Sequence, residues 1–216
     1  MIPNSLKKRF FTSLVLLSLV ILIFNFNVIL VYCLIVLGVL SILEFLQLTN
    51  KIINNYLNLI ILNFFFIVYL CVFTFLFFFF SNIDGLKIIL YILLLGCIAS
   101  DIGGFIFGKI FKGPKLTRIS PNKTYSGSIG AIFLTLITVS ILFYFIFGKL
   151  NLKIILIALT TSFFCQIGDL IFSFLKRKAK FKDTGNFLPG HGGILDRLDG
   201  IFLGIPFGFL ALILLN

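Results

Sequence analysis

The sequence predicts an all-α polytopic membrane protein of about seven (seven to eight) transmembrane helices, and three observations predict it. Hydrophobic residues make up 60% of the 216 residues and charged residues only 12%, about half the charged share of a soluble domain. The mean hydropathy of +1.20 excludes a disordered chain. The apolar residues also gather into runs near the length of about 20 residues that a helix needs to cross a bilayer.

Seven runs qualify: 10–26, 27–43, 57–80, 86–108, 127–147, 154–175 and 200–215. The first follows Lys7, Lys8 and Arg9, as a signal peptide would, but no small-residue cleavage site comes after it, so it reads as a retained helix. The second is separated from it only by the polar pair Asn25 and Asn27. The third is long enough to be one helix or a broken pair. The fourth and sixth carry acids inside otherwise apolar spans, Asp101 and Asp169. The last run is short, at 16 residues.

Basic residues set the orientation. With the N-terminus cytoplasmic and the spans alternating, 15 Lys or Arg fall on the cytoplasmic side and 3 on the other, Lys87, Lys149 and Lys153. The net charge of +11 is therefore read as membrane orientation and attraction to anionic lipid, not as nucleic-acid binding. Cys33, Cys71, Cys97 and Cys165 lie in apolar runs with no Cys-x-x-Cys pair, and read as small buried hydrophobes, not as disulfides or metal ligands.

No internal repeat is visible, and the organisation is asymmetric. Residues 1–80 form an N-terminal anchor or scaffold with one acid, Glu44. Residues 81–216, with cytoplasmic loops 109–126 and 176–199, hold six of the seven acids and are the expected catalytic region.

A carboxylate inside a span is costly and needs a partner or an aqueous cavity. Asp101 lies roughly 10 Å of helix from Gly108, and Asp169 roughly 9 Å from Leu175, so both sit at similar depth below the same face. A structural ion pair with a loop Lys or Arg is the plainer alternative. Asp196 and Asp199 are three apart, and on a helix they would face one side about 5–6 Å from each other. A divalent cation would relieve their repulsion, and carboxylates with water suit Mg²⁺; acids stabilised by a helix N-terminus are the alternative. With Asp101 and Asp169 nearby a metal site is favoured, with room for two ions. Gly190, Gly192 and Gly193 allow close backbone approach to an anion around His191, the only histidine. Lys123, Lys176, Arg177 and Lys182 supply charge for phosphates, or simply anchor the cytoplasmic face. Together these features point to metal-assisted phosphoryl or nucleotidyl transfer on a lipid at the cytoplasmic face.

The second loop resembles the signature of the phosphatidate cytidylyltransferase (CDP-diglyceride synthetase) family. It runs from Ser173 through Lys176-Arg177, Lys182-Asp183-Thr184-Gly185 and Leu188-Pro189-Gly190-His191-Gly192-Gly193 to Asp196-Arg197-Leu198-Asp199 without a gap. Gly168-Asp169-Leu170 and Ser120-Pro121-Asn122-Lys123-Thr124 are also similar to family stretches. Two departures stand out: Ser126 replaces the family's usual Glu, and Asp101-Ile102-Gly103-Gly104-Phe105 is a looser version of its aspartate stretch. The resemblance covers about residues 95–205.

The resemblance implies transfer from CTP to phosphatidate, giving CDP-diacylglycerol and pyrophosphate, in a bacterial inner membrane. It implies Mg²⁺, as one or two divalent ions or a divalent with a monovalent ion, on Asp169, Asp196 and Asp199 with Asp101 as an additional ligand. Lys176, Arg177 and His191 join the catalytic set. Ser120, Lys123, Thr124, Lys182, Asp183, Gly192, Gly193 and Arg197 contact substrates. CTP, phosphatidic acid and the bilayer are the partners, with a homodimer compatible. The rivals are a CTP-dependent polyprenol or phytol kinase, which moves the γ-phosphate, a CDP-alcohol phosphotransferase, whose longer Asp and Gly array is missing here, a degenerate homologue without activity, and a transporter, in which intramembrane acids also occur.

Overall fold

A computed structural model describes residues 15, 18–117, 120, 123–148, 150–185 and 192–215. Among them are six long helices: α1 Asn27–Ile52, α2 Tyr56–Ser81, α3 Asp84–Phe111, α4 Tyr125–Phe147, α5 Leu152–Lys178 and α6 Leu195–Leu215. All six are long and apolar enough to cross a membrane by length and composition, at 21 to 28 residues each. At about 1.5 Å per residue even the shortest covers a hydrocarbon core of about 30 Å. The protein is thus an all-α membrane protein, as the composition predicts. The expected span 10–26 lies partly outside the described residues, and within it residues 18–25 are helical. The long run 57–80 is one unbroken helix, begun where the Asn55 side chain accepts a hydrogen bond from Leu57 N at 3.1 Å.

The chain divides into two compact units, one of Met1–Asn82 with Leu175–Leu198 and one of Ile83–Phe174 with Asp199–Asn216. In the first unit, α1 and α2 pack through Leu48, Phe66 and Leu70, all buried. Phe45 stacks on Phe66 with ring centroids 3.7 Å apart. Thr49, wholly buried, donates from Oγ1 to Asn63 Oδ1 at 2.9 Å, so a polar pair in the apolar interface is satisfied internally.

In the second unit, glycines let α3 and α4 approach closely. A methyl on Gly103 would sit 2.5 Å from the Gly130 carbonyl oxygen, and one on Gly127 would sit 2.8 Å from the Gly104 oxygen. Small residues at such seams are how membrane helices gain packing where water supplies no hydrophobic drive. Ile92, Val139, Phe143, Ile154 and Ala158 join α3, α4 and α5 in one buried cluster. Gly200, Gly204 and Gly208 of α6 lie against Cys165, Cys97 and Thr161 in the same way.

Candidate active site

The second unit builds a cavity into which several polar side chains project among apolar helices. It measures about 280 Å³ and is lined by Asp101, Ser120, Lys123, Thr124, Gln166 and Asp169 among others. α3 carries Asp101, α5 carries Asp169, and the loop before α4 carries Lys123. Lys123 Nζ lies 3.2 Å from Asp169 Oδ2, with the two side chains 29% and 20% exposed. Partial exposure at a cavity wall is the environment an intramembrane acid needs.

Local hydrogen bonds hold this loop in place. Thr124 caps α4, its Oγ1 accepting from Gly127 N at 3.1 Å. Ser126 Oγ accepts from Gly113 N at 3.2 Å and pairs with Thr124 Oγ1 at 3.0 Å. The residue that departs from the family pattern therefore ties the end of α3 to the start of α4. Gln166 accepts from Ser128 Oγ and donates from Nε2 to Ser128 O at 3.3 Å and to Ser162 Oγ at 3.4 Å. Ser162 in turn pairs with Ser100 at 3.2 Å. This ladder orients one wall of the cavity.

The ligand atoms of Asp101, Cys165 and Asp169 all lie within 4.8 Å of one another. The Cys165 thiol is buried and directed at the Cys97 carbonyl, 3.9 Å away. The two carboxylates are the part that suits a hard cation such as Mg²⁺, which takes oxygen ligands and retains water. Asp199, predicted as a third metal ligand, is buried at the start of α6 and its Oδ1 accepts from Gly200 N at 3.0 Å. The Asp199 carbonyl fills the space where a side chain on Gly168 would stand, which explains the glycine before Asp169.

Of the predicted Asp196 and Asp199 pair, Asp196 belongs to the first unit and Asp199 to the second. Lys176 Nζ donates to Asp196 Oδ1 at 2.7 Å. Asp196 Oδ2 accepts from Thr184 N at 2.8 Å and from Gly193 N at 3.1 Å. The Asp196 carboxylate thus closes the base of the signature loop. Gly192, at φ +85, occupies a backbone region that disfavours other residues, and a side chain there would meet Asp196 Oδ2 at 3.1 Å and Asp183 at 3.4 Å. Arg177, Lys182, Asp183 and Arg197 are exposed. Arg177 donates to the Phe181 carbonyl at 3.4 Å. His191 and Gly190 lie outside the described residues.

Sequence reasoning passed over Glu44. It is fully buried on α1 and accepts three hydrogen bonds: from Thr184 Oγ1 at 2.6 Å, Ile194 N at 2.9 Å and Leu195 N at 2.8 Å. Two of these donors are backbone amides at the start of α6, groups that have no intrahelical acceptor. Side chains on Gly185 or Gly193 would each come within 2.5 Å of a Glu44 oxygen. The signal was available: an acid in an apolar span calls for a named partner. Gln166 was missed as well, and there a polar residue in an apolar run was the clue.

Comparison with known proteins gives the chain a family. The cytidylyltransferase family profile matches residues 3–215. A phosphatidate cytidylyltransferase of Staphylococcus aureus (strain COL) is 43% identical over 134 residues, 61% of this chain and 51% of the relative. Proteins of the same name from Staphylococcus haemolyticus (strain JCSC1435) and Staphylococcus epidermidis (strain ATCC 12228) are 41% and 37% identical over the same length. The chain spans about half the length of the curated relatives it matches.

Proposed function

Because the chain belongs to the cytidylyltransferase family, we propose that it transfers the cytidylyl group of CTP to phosphatidate, forming CDP-diacylglycerol and pyrophosphate in a bacterial cytoplasmic membrane. The observation that carries this reading is the cavity of about 280 Å³ that Asp101, Lys123 and Asp169 border together between apolar helices. A phosphate oxygen of phosphatidate attacks the α-phosphorus of CTP, the bond to the β-phosphate oxygen breaks, and pyrophosphate leaves. Such transfers need positioning and charge neutralisation more than covalent help from the protein.

Lys123 holds a substrate phosphate beside Asp169, and Ser120 and Thr124 border the same space. Lys176, Arg177, Lys182 and Arg197 supply further cationic contacts along the signature loop, with Gly192 and Gly193 admitting a close phosphate and Asp183 beside them. Asp101 and Asp169 are the residues that would hold Mg²⁺, with Asp196, Asp199 and His191 acting from the signature loop and the start of α6. The bound cation would withdraw charge from the nucleotide phosphates and the departing pyrophosphate. Acyl chains enter sideways from the bilayer between the apolar helices.

The test is an assay of detergent-solubilised protein with phosphatidate, labelled CTP and Mg²⁺. Lipid-borne cytidine label with equal pyrophosphate is the expected result. CDP together with a phosphorylated lipid would replace this reading with a lipid kinase.

A further inference from the structure

Glu44 lies in a helix that composition alone marks as an anchor, yet its contacts go to the signature loop. Its Oε1 accepts from Ile194 N, and its Oε2 from both Thr184 Oγ1 and Leu195 N. These donors flank the loop: Thr184 stands before it and Ile194 and Leu195 after it. Asp196 bridges the same two sides through Thr184 N and Gly193 N. Two carboxylates therefore share one job from opposite directions, and Thr184 gives its hydroxyl to one and its amide to the other.

Glu44 also sets the start of α6. Taking two amides of the first turn fixes where that helix begins and favours a negative group there. Asp196 is the next residue after Leu195, so the Glu44 bonds hold the backbone that carries the Asp196 carboxylate, which pairs with Lys176. Gly185 and Gly193 complete the fit, because any side chain there would displace the Glu44 carboxylate.

We propose that Glu44 is a positioning residue for cytidylyl transfer: from α1 it holds both sides of the signature loop so that Lys176 and Asp196 are correctly placed. It touches no reacting atom, and it acts through Thr184 and the start of α6. The inference rests on the transfer reading above.

The test pairs Glu44→Gln with Thr49→Val. The glutamine keeps the reach of the side chain but turns an amide N–H₂ toward the loop donors. Thr49→Val removes the Thr49–Asn63 bond of the same unit without touching the loop, so it measures the effect of loosening α1 against α2 alone. Glu44→Gln should lower kcat by about tenfold or more with KM for phosphatidate within about twofold, while Thr49→Val leaves kcat within about twofold. Thr184→Val should lower kcat too, and combining it with Glu44→Gln should cost less than the product of the two. Hydrogen exchange reads the loop directly: Ile194, Leu195, Thr184 and Gly193 amides should all lose protection in Glu44→Gln, the last two only through the coupling to Asp196.

Equal kcat losses in Glu44→Gln and Thr49→Val, or unchanged protection at Thr184 and Gly193, would overturn the proposal. An inactive wild-type protein would indict the transfer reading instead, and the exchange measurement would still decide whether Glu44 holds the loop.

Discussion

The two units each hold a carboxylate cluster, and they treat those carboxylates differently. In the first unit, every oxygen of Glu44 and Asp196 accepts from a protein donor within 3.1 Å. In the second, Asp169 meets Lys123 at 3.2 Å beside a cavity of about 280 Å³, with Asp101 on the same wall. Acids saturated by backbone amides shape the chain. Acids that border a cavity and pair with a part-exposed lysine can exchange that partner for an incoming cation or phosphate. The difference teaches that an acid's sequence motif does not reveal which of the two roles it has, since Asp196 and Asp169 both belong to signature stretches.

The sharpest way to break this comparison is Asp169→Asn. It should lower turnover by about a thousandfold or more while helical content and detergent-extracted yield stay unchanged. Asp196→Asn should also lose activity, but with loss of amide protection at Thr184 and Gly193, because two of its three donors are those backbone amides. An Asp196→Asn protein with an intact loop and altered Mg²⁺ dependence would move Asp196 into the open class. Chelation supplies the next effect: exhaustive removal of divalent ions should abolish transfer in the wild-type protein, and added Mg²⁺ should restore it. Full activity after chelation would remove the metal from the reading.

Smaller effects sharpen the saturated side. In Gly193→Ala the added methyl would sit 2.5 Å from Glu44 Oε2 and overlap Thr184 Oγ1. The cost should be about 2 kcal/mol, read as a lower unfolding midpoint in denaturant. Ser126→Ala is the mildest. It removes the acceptor for Gly113 N and the partner of Thr124, a loss of about 1 kcal/mol, with turnover nearly unchanged.

Much of the fold was legible because a bilayer leaves few choices. Spans of about 20 apolar residues must be helical, since only helices and closed barrels satisfy their backbone there. The placement of Asp101 and Asp169 by depth from the helix ends also brought them to one cavity. What composition could not supply was partnership. Lys123 was one of several loop cations, and nothing in its spacing selected Asp169 over another acid. Ser126 stood out only as a departure from the family pattern, and its hydroxyl ties two helix ends together. Glu44 was hidden for a different reason. Its donors lie 140 to 151 residues away in the chain, a separation that no local periodicity reaches.

That separation has a temporal side. Synthesis proceeds at about 5–20 residues per second, so Glu44 leaves the ribosome roughly 8–30 s before Leu195. Over that interval α1 exists with its carboxylate but without the three groups that will receive it. The nascent helix must keep Glu44 hydrated or lent to another donor until α6 arrives, so α1 takes its finished seat only after a segment made much later. A chain released early, before Ile194 and Leu195, would carry an acid in its first unit without those two donors.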